Sequence, residues 1–250
     1  CLVLAGAGSG KTRVLTTRLA YLCHTGIRPR NILAITFTNK AAREMKERVE
    51  RLIPGFTGQW IQTFHATCYR ILRQEIDRLG YSRDFGIYDD QDQLQVIKDV
   101  LKQLNIDEKK FPPRAISQAI SRFKSELKNP LQATLAARDY FTEVAAKVYE
   151  RYQKLLQQNN SLDFDDLIML TVRLFQEHTE LLEKYQDRFR YILVDEYQDT
   201  NHAQYMLVRL LADKHQNICV VGDDDQSIYR FRQADIRNIL SLSGIIPRPR

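Results

Sequence analysis

The chain has 250 residues, 44% hydrophobic and 27% charged, a balance that fits a soluble globular protein with one core, or one core and an inserted subdomain. Its longest apolar runs are five or six residues, too short for a transmembrane helix or a signal peptide. Net charge is +6, and the four cysteines and five histidines lie without metal-ligand spacing, which predicts reduced thiols and a cytoplasmic protein.

The first predicted element is a short buried strand, Cys1 to Leu4. A glycine-rich turn follows, then a helix from Lys11 to about Cys23 with Val14, Leu15, Leu19 and Leu22 at helical spacing. Ile32 to Phe37 is a near-continuous apolar strand of the kind found in parallel sheets covered on both faces. After a turn at Thr38-Asn39-Lys40, a helix from Ala41 to Leu52 carries Met45, Val49 and Leu52 inward. Trp60 to Thr63 is a third strand, followed by Phe64-His65 and a helix to about Leu79. Strand–helix repeats of this length predict a doubly wound α/β sheet. Residues 89–104, 112–127 and 141–158 are predicted helices, with Pro112-Pro113 opening the second and Asn129-Pro130 closing it. This stretch shows no strand signal and predicts an all-helical insertion. The α/β pattern then resumes with a helix after Ser161–Asp166 to about Gln176, the strand Tyr191–Val194, and a helix from about Asn201 to Leu211. A last strand, Ile218–Val221, runs into Gly222–Gln226. Opening inside a strand and closing on Ile-Ile-Pro-Arg-Pro-Arg250 predicts part of a longer protein.

Three segments carry chemistry. Ala5, Gly6, Ala7, Gly8, Ser9 and Gly10 sit between strand and helix, the context that a phosphate-binding loop requires. Backbone N–H groups and the helix N-terminus would cradle a nucleotide's phosphates. Lys11 would reach the β- and γ-phosphates, and the Thr12 hydroxyl would ligate Mg²⁺. The match to GxxxxGK[ST] departs at its first position, where Ala5 replaces glycine; an ordinary turn ending in Lys-Thr is the bland alternative. Asp195 and Glu196 close a buried strand at its C-terminal end, where ligands of open α/β sheets bind. Asp195 could hold Mg²⁺, and Glu196 could orient and deprotonate the attacking water. Alone, such a pair is more often a helix cap or a solvated turn; beside the Lys11–Thr12 loop it favours a nucleotide site. Gln226 could hydrogen-bond the γ-phosphate or the lytic water, or be a plain loop glutamine. Tyr229, Phe231 and Arg232 interleave rings and cations in a way that suits single-stranded nucleic acid, with buried core aromatics as the alternative. Residues 1–80 carry 13 Lys and Arg against 5 Asp and Glu, which fits a polyanionic partner, a nucleotide or a solvated basic face.

Ala-Gly-Ser-Gly-Lys-Thr12, Thr36-Phe-Thr-Asn-Lys-Ala-Ala42, Thr63-Phe-His65, Leu162-Asp-Phe-Asp-Asp-Leu167, Val194-Asp-Glu-Tyr-Gln-Asp-Thr-Asn201 and Gly222-Asp-Asp-Asp-Gln-Ser-Ile-Tyr229 occur in this order. With them the chain resembles, over nearly its whole length, the first half of a superfamily 1 DNA helicase of the UvrD/PcrA/Rep type. An alanine at position 5 also fits that family. The resemblance implies a RecA-like P-loop NTPase domain, residues 1–85 and 161–250, with a parallel sheet interrupted by an all-helical subdomain, residues 86–160, that touches duplex. It implies an ATP-driven motor moving 3′→5′ on single-stranded DNA and opening a duplex junction, in repair or replication. Ala5 to Thr12 and Gln198 would bind ATP, with Arg13 near the base or ribose, and Thr12 and Asp195 would hold Mg²⁺. Lys11, Asp195, Glu196 and Gln226 would serve hydrolysis, Gln198 and Gln226 linking the γ-phosphate to DNA. Phe37, Asn39, Thr63, His65, Tyr229, Phe231 and Arg232 would line the strand.

Two positions depart from the family, Phe231 where tryptophan is usual and Gln233 where glycine is usual. The family's second RecA-like domain supplies arginine fingers, worth about 10³–10⁵ in turnover in related enzymes. The chain alone is therefore expected to bind nucleotide weakly and hydrolyse it poorly. Competing readings are the motor subunit of a helicase–nuclease complex and a nucleotide-regulated DNA-binding module without turnover. A small-molecule kinase would leave the QDTN and DQSIYRFR segments without a purpose.

Overall fold

The computed structural model describes residues 1–4, 6 and 9–223. Ala5, Ala7 and Gly8, and Gln226, Tyr229, Phe231, Arg232 and Gln233, lie outside the described residues. In chain order the elements begin with β1 (Leu2–Leu4), α1 (Lys11–His24), β2 (Ile32–Thr36), α2 (Asn39–Leu52), β3 (Ile61–Thr63) and α3 (Phe64–Glu75). Next come β4 (Gly86–Ile87), α4 (Asp90–Gln103), α5 (Pro113–Ser125), α6 (Pro130–Ala136), α7 (Tyr140–Gln158) and β5 (Ser161–Leu162). The last are α8 (Phe164–Glu177), α9 (Thr179–Arg188), β6 (Tyr191–Val194), α10 (His202–Ala212) and β7 (Ile218–Gly222). Two compact units result, one of Cys1–Cys68 with Val172–Arg250, the other of Tyr69–Thr171.

The first unit holds a five-stranded, wholly parallel sheet in the order β1-β7-β6-β2-β3. Every residue of β2 and β7 is buried, as a strand covered on both faces requires. The registers Ala34↔Leu193 and Leu193↔Cys219 align one row of side chains. Leu15 and Leu19 of α1 and Met45 and Val49 of α2 cover that row. Thr38 starts α2, its Oγ1 accepting from the Ala41 N–H at 3.1 Å. Ala42, Met45 and Val49 then form the buried stripe of the helix. The α-helix after His65 ends at Glu75, and a 3₁₀ turn, Ile76–Leu79, completes the segment expected as one helix. The helix α9 had no counterpart in the sequence pattern. Its buried face is only Leu181, Tyr185 and Gln186, and aromatic contacts fix it: Tyr185 lies 5.5 Å from Phe175, and Phe189, just past the helix, 4.7 Å from Trp60.

The second unit packs α4, α5 and α7 around Ile97, Leu101, Ile116, Ile120, Tyr149 and Leu156. Asn129-Pro130 does not close α5, which ends at Ser125; it opens α6. The Asn129 side chain accepts from the Gln132 N–H and the Gln132 side chain from the Asn129 N–H, both at 2.9 Å. This reciprocal cap, with Pro130 in the first turn, is a helix start. The unit is also not wholly helical, since β4 and β5 form a two-residue parallel pair, Gly86↔Ser161 and Ile87↔Leu162. Two residues are too few to show alternation in a sequence. None of the four cysteines is in a disulfide, and no helix among the described residues is long and apolar enough to cross a membrane.

A buried charge cluster stands at the start of α8. Asp163 and Asp166 cap each other's backbone N–H groups at 2.9 and 3.1 Å. Lys124, itself fully buried, places its Nζ 2.6 Å from Asp163 Oδ2 and 2.8 Å from Asp166 Oδ1. Tyr152 donates to Asp163 at 2.9 Å. Removing the cation leaves two carboxylates facing each other out of water, a loss of about 3–5 kcal/mol. Lys124→Met is expected to lower stability by that amount in urea denaturation, and Lys124→Met with Asp163→Asn and Asp166→Asn to recover most of it. A loss below about 1 kcal/mol in the single variant would contradict the assignment.

Candidate nucleotide and nucleic-acid site

Parallel strands bring all their C-terminal ends to one edge of a sheet. At that edge β1, β7 and β6 are neighbours. Gly10 precedes α1 with φ of 89°, a left-handed conformation that costs glycine nothing. Among the described residues no side chain caps α1, and no acid lies in its first turn, an arrangement in which the positive end of a helix can receive an anion. Lys11 and Thr12 are its first two residues.

These residues meet the acid pair. Thr12 Oγ1 donates to Asp195 Oδ2 at 3.1 Å. The Asp195 N–H is tied to the Ile35 carbonyl of β2 at 3.0 Å. Lys11 Nζ lies 3.0 Å from Asp223 Oδ2 and 3.3 Å from the Gly6 carbonyl. Glu196 has φ of 50°, a conformation that costs a non-glycine residue of order 1–3 kcal/mol. Its N–H donates to Asp195 Oδ1 at 3.0 Å. Gln198 donates from Nε2 to Glu196 Oε2 at 2.6 Å, and its Oε1 accepts from the Asp223 N–H at 3.0 Å. Lys11, Thr12, Asp195, Glu196 and Gln198, far apart in sequence, thus form one polar ring with Asp223. Ser9 and Arg13 are exposed beside it.

Burial pushes the Asp195 carboxyl up from its ordinary value and the adjacent Glu196 adds to the rise; the Thr12 hydroxyl and Lys11 oppose it without cancelling it. A carboxylate in that setting gains from a cation beside it. The Thr12 hydroxyl and Asp195 carboxylate are hard oxygen donors, which fit Mg²⁺ completed by phosphate and water. Among the described residues no three His, Cys, Asp or Glu side chains group to hold a metal by themselves. The donor set therefore suits an ion shared with a phosphate, not a protein-only cage.

Further along the same edge, β2 and β3 pair in the register Thr36↔Thr63. Phe37, half-buried, follows β2 and packs its ring 5.3 Å from that of Phe64. Asn39 is exposed at the start of α2. The Thr63 hydroxyl is engaged locally, accepting from the Ala66 N–H at 3.2 Å, and its carbonyl accepts from Thr67 Oγ1 at 3.0 Å, so it caps α3. His65 lies in the first turn of α3, and burial lowers its imidazole to about 4, leaving it neutral at pH 7. Asp223 is the site residue that the sequence reading did not single out. Its signal was available: an apolar strand, Ile218–Gly222, ending in an acid, the same pattern as Val194-Asp195.

A family model described as UvrD/REP helicase N-terminal domain matches residues 1–246. The chain is 60% identical over 248 residues to the ATP-dependent DNA helicase PcrA of Bacillus subtilis, covering 98% of this chain and 34% of that protein. It is 59% identical over 249 residues to the protein of the same name from Staphylococcus aureus, again over 98% of this chain and 34% of the relative. The chain thus spans about a third of the length of the curated relatives it matches.

The state of His65 makes a pH prediction. The unfolded chain takes up this proton near 6.5 and the folded one only near 4, so the unfolded state binds more protons between those values. Stability from this group is complete above pH 6.5 and is lost as pH falls towards 4. Urea midpoints at pH 7 and pH 4.5 should differ less in His65→Gln than in wild type. Identical pH dependence in the two proteins would refute the assignment.

Proposed function

The chain belongs to the UvrD/REP helicase N-terminal domain family, and on that footing we propose that it forms the ATP-binding domain of an ATP-dependent DNA helicase moving 3′→5′ along single-stranded DNA. The observation that carries the reading is the 3.1 Å contact between Thr12 and Asp195, with Lys11 beside them, across 183 positions of sequence. A phosphate-binding loop and an acid pair serve one nucleotide only if they meet, and these do.

The parallel-sheet unit is the first RecA-like domain, and the helix-rich Tyr69–Thr171 is its inserted subdomain, with a role at the duplex junction. In the full-length protein a second RecA-like domain completes the site. The α1 N-terminus and Lys11 bind the phosphates, and Thr12 and Asp195 would hold Mg²⁺, which when bound neutralises phosphate charge. Glu196 takes the proton of the attacking water. Phe37, Asn39 and His65, on the β2 and β3 side of the same edge, face the DNA strand; Tyr229, Phe231 and Arg232, outside the described residues, are assigned to the same strand on the family resemblance alone. The adjacency of β6 and β2 supports coupling between the two chemistries, because Asp195 is hydrogen-bonded to the carbonyl of Ile35, two residues before Phe37. Gln198 and Gln226 carry the γ-phosphate state onward. A module that binds without turnover would have no use for a glutamate beside the cation-binding aspartate.

In the full-length protein, Lys11→Met is expected to abolish ATP binding. Glu196→Gln should retain binding while slowing single-strand-stimulated ATP turnover by about 10²–10⁴-fold. Equal turnover in wild type and Glu196→Gln would leave the binding-module reading in its place.

A further inference from the structure

The ring around the nucleotide site contains one acid with no assigned task. We propose that Asp223 is a built-in counter-ion that holds Lys11 while no phosphate is bound and releases it when a nucleotide's phosphates enter, so that occupancy is passed through Gln198 to Glu196. This rests on the nucleotide reading of the site and adds a regulatory step to it.

Lys11 is 8% exposed and Asp223 2%. An ammonium so far from water requires an anion beside it, and Asp223 supplies one at 3.0 Å. The pairing follows from topology: β7 lies next to β1 with Gly222 opposite Leu4, which sets Asp223 beside the start of the phosphate-binding loop. Lys11 is also hydrogen-bonded to the loop's own Gly6 carbonyl, so its head is already placed at the loop. Phosphates entering there bring new negative charge to the same ammonium. Asp195, Glu196 and Asp223 already crowd this side of the site, and like charges in a poorly solvated space disfavour each other. The phosphates and Asp223 compete for the one ammonium, and its transfer to the phosphates takes this counter-charge from the buried Asp223 carboxylate, which drives the chain at Asp223 to move.

The exchange has a route outward. The Asp223 N–H is bonded to Gln198 Oε1, and the other end of that amide to Glu196 Oε2. There is little slack, since a Cβ on Gly222 would lie 2.9 Å from Gln198 Oε1. A shift of the chain at Asp223 therefore displaces the amide that holds Glu196. The ligand chemistry concerned is the phosphate chain alone, and the base and sugar play no part.

The test compares binding of ADP and of adenosine to the full-length protein, by displacement of a fluorescent nucleotide for ADP and by calorimetry for adenosine. Asp223→Asn keeps the size and removes the charge. It should tighten ADP binding by tenfold or more and leave adenosine unchanged, a difference that a merely structural role would not produce. With Lys11→Met as background, Asp223→Asn should bring no gain. Unchanged or weaker ADP binding in Asp223→Asn overturns the proposal, and so does a gain that survives Lys11→Met. If wild type binds ADP and Lys11→Met does not, the nucleotide reading stands whatever Asp223 does; if wild type binds no ADP, both readings fall. Should Asp223→Asn not fold, the ADP-bound wild-type structure decides: a broken Lys11–Asp223 contact supports the exchange, and one still at 3.0 Å ends it.

Discussion

The insertion of β6 and β7 between β1 and β2 is the constraint on which the site depends. β1 and β2, the first two strands of the chain, are kept apart, and strands separated by well over a hundred residues, β1 with β7 and β6 with β2, are made neighbours. Because all five run parallel, each delivers its last residue to the same edge. Lys11 and Thr12 arrive from β1, Asp195 and Glu196 from β6, and Asp223 from β7. The sheet's core, Leu15, Met45, Ala34, Leu193 and Cys219 among others, is ordinary apolar packing, and its contribution to function is to hold the strand order rigidly.

Both units bury charge, and both do it by closing polar circuits. In the second unit Lys124 is enclosed by Asp163 and Asp166, which also cap a helix, and by the Tyr152 hydroxyl nearby. In the first, Lys11 and Asp223 are enclosed in a ring that includes a strained residue, Glu196. The difference is chemical. The Lys124 cluster opposes one cation to two carboxylates that already cap each other, a finished structural joint. The Lys11 ring sits at a helix N-terminus that no side chain caps among the described residues, beside a carboxyl whose proton affinity is raised.

Much of this was legible in the residues. Gly10-Lys11-Thr12 after an apolar strand, and Asp195-Glu196 after another, are local signals because strand-end chemistry is written in adjacent letters. The buried strands Ile32–Thr36 and Ile218–Gly222 were equally plain as apolar runs. Other features depend on partners distant in sequence. Lys124 reads as a surface lysine until Asp163 and Asp166 are brought to it. Asn129-Pro130 carries the same letters whether it stops a helix or starts one, and only the answering Gln132 decides. The helix α9 owes its place to Phe175 and to Trp60, which meets its flanking Phe189, so its own periodicity is faint. Thr63 has a part that no motif states: its hydroxyl accepts from the Ala66 N–H and so caps α3.

The amide of Gln198 has one further implication. Its oxygen faces a donor and its nitrogen faces an acceptor, so a half-turn about its last bond would set hydrogen against hydrogen and lone pair against carboxylate. The group is consequently keyed, like a plug that enters one way round. Only a side chain with both polarities at fixed separation can bridge the backbone of one strand end and the acid of the next. A glutamate or a lysine in that place would leave one of the two neighbours facing the wrong partner, and a methionine would serve neither well.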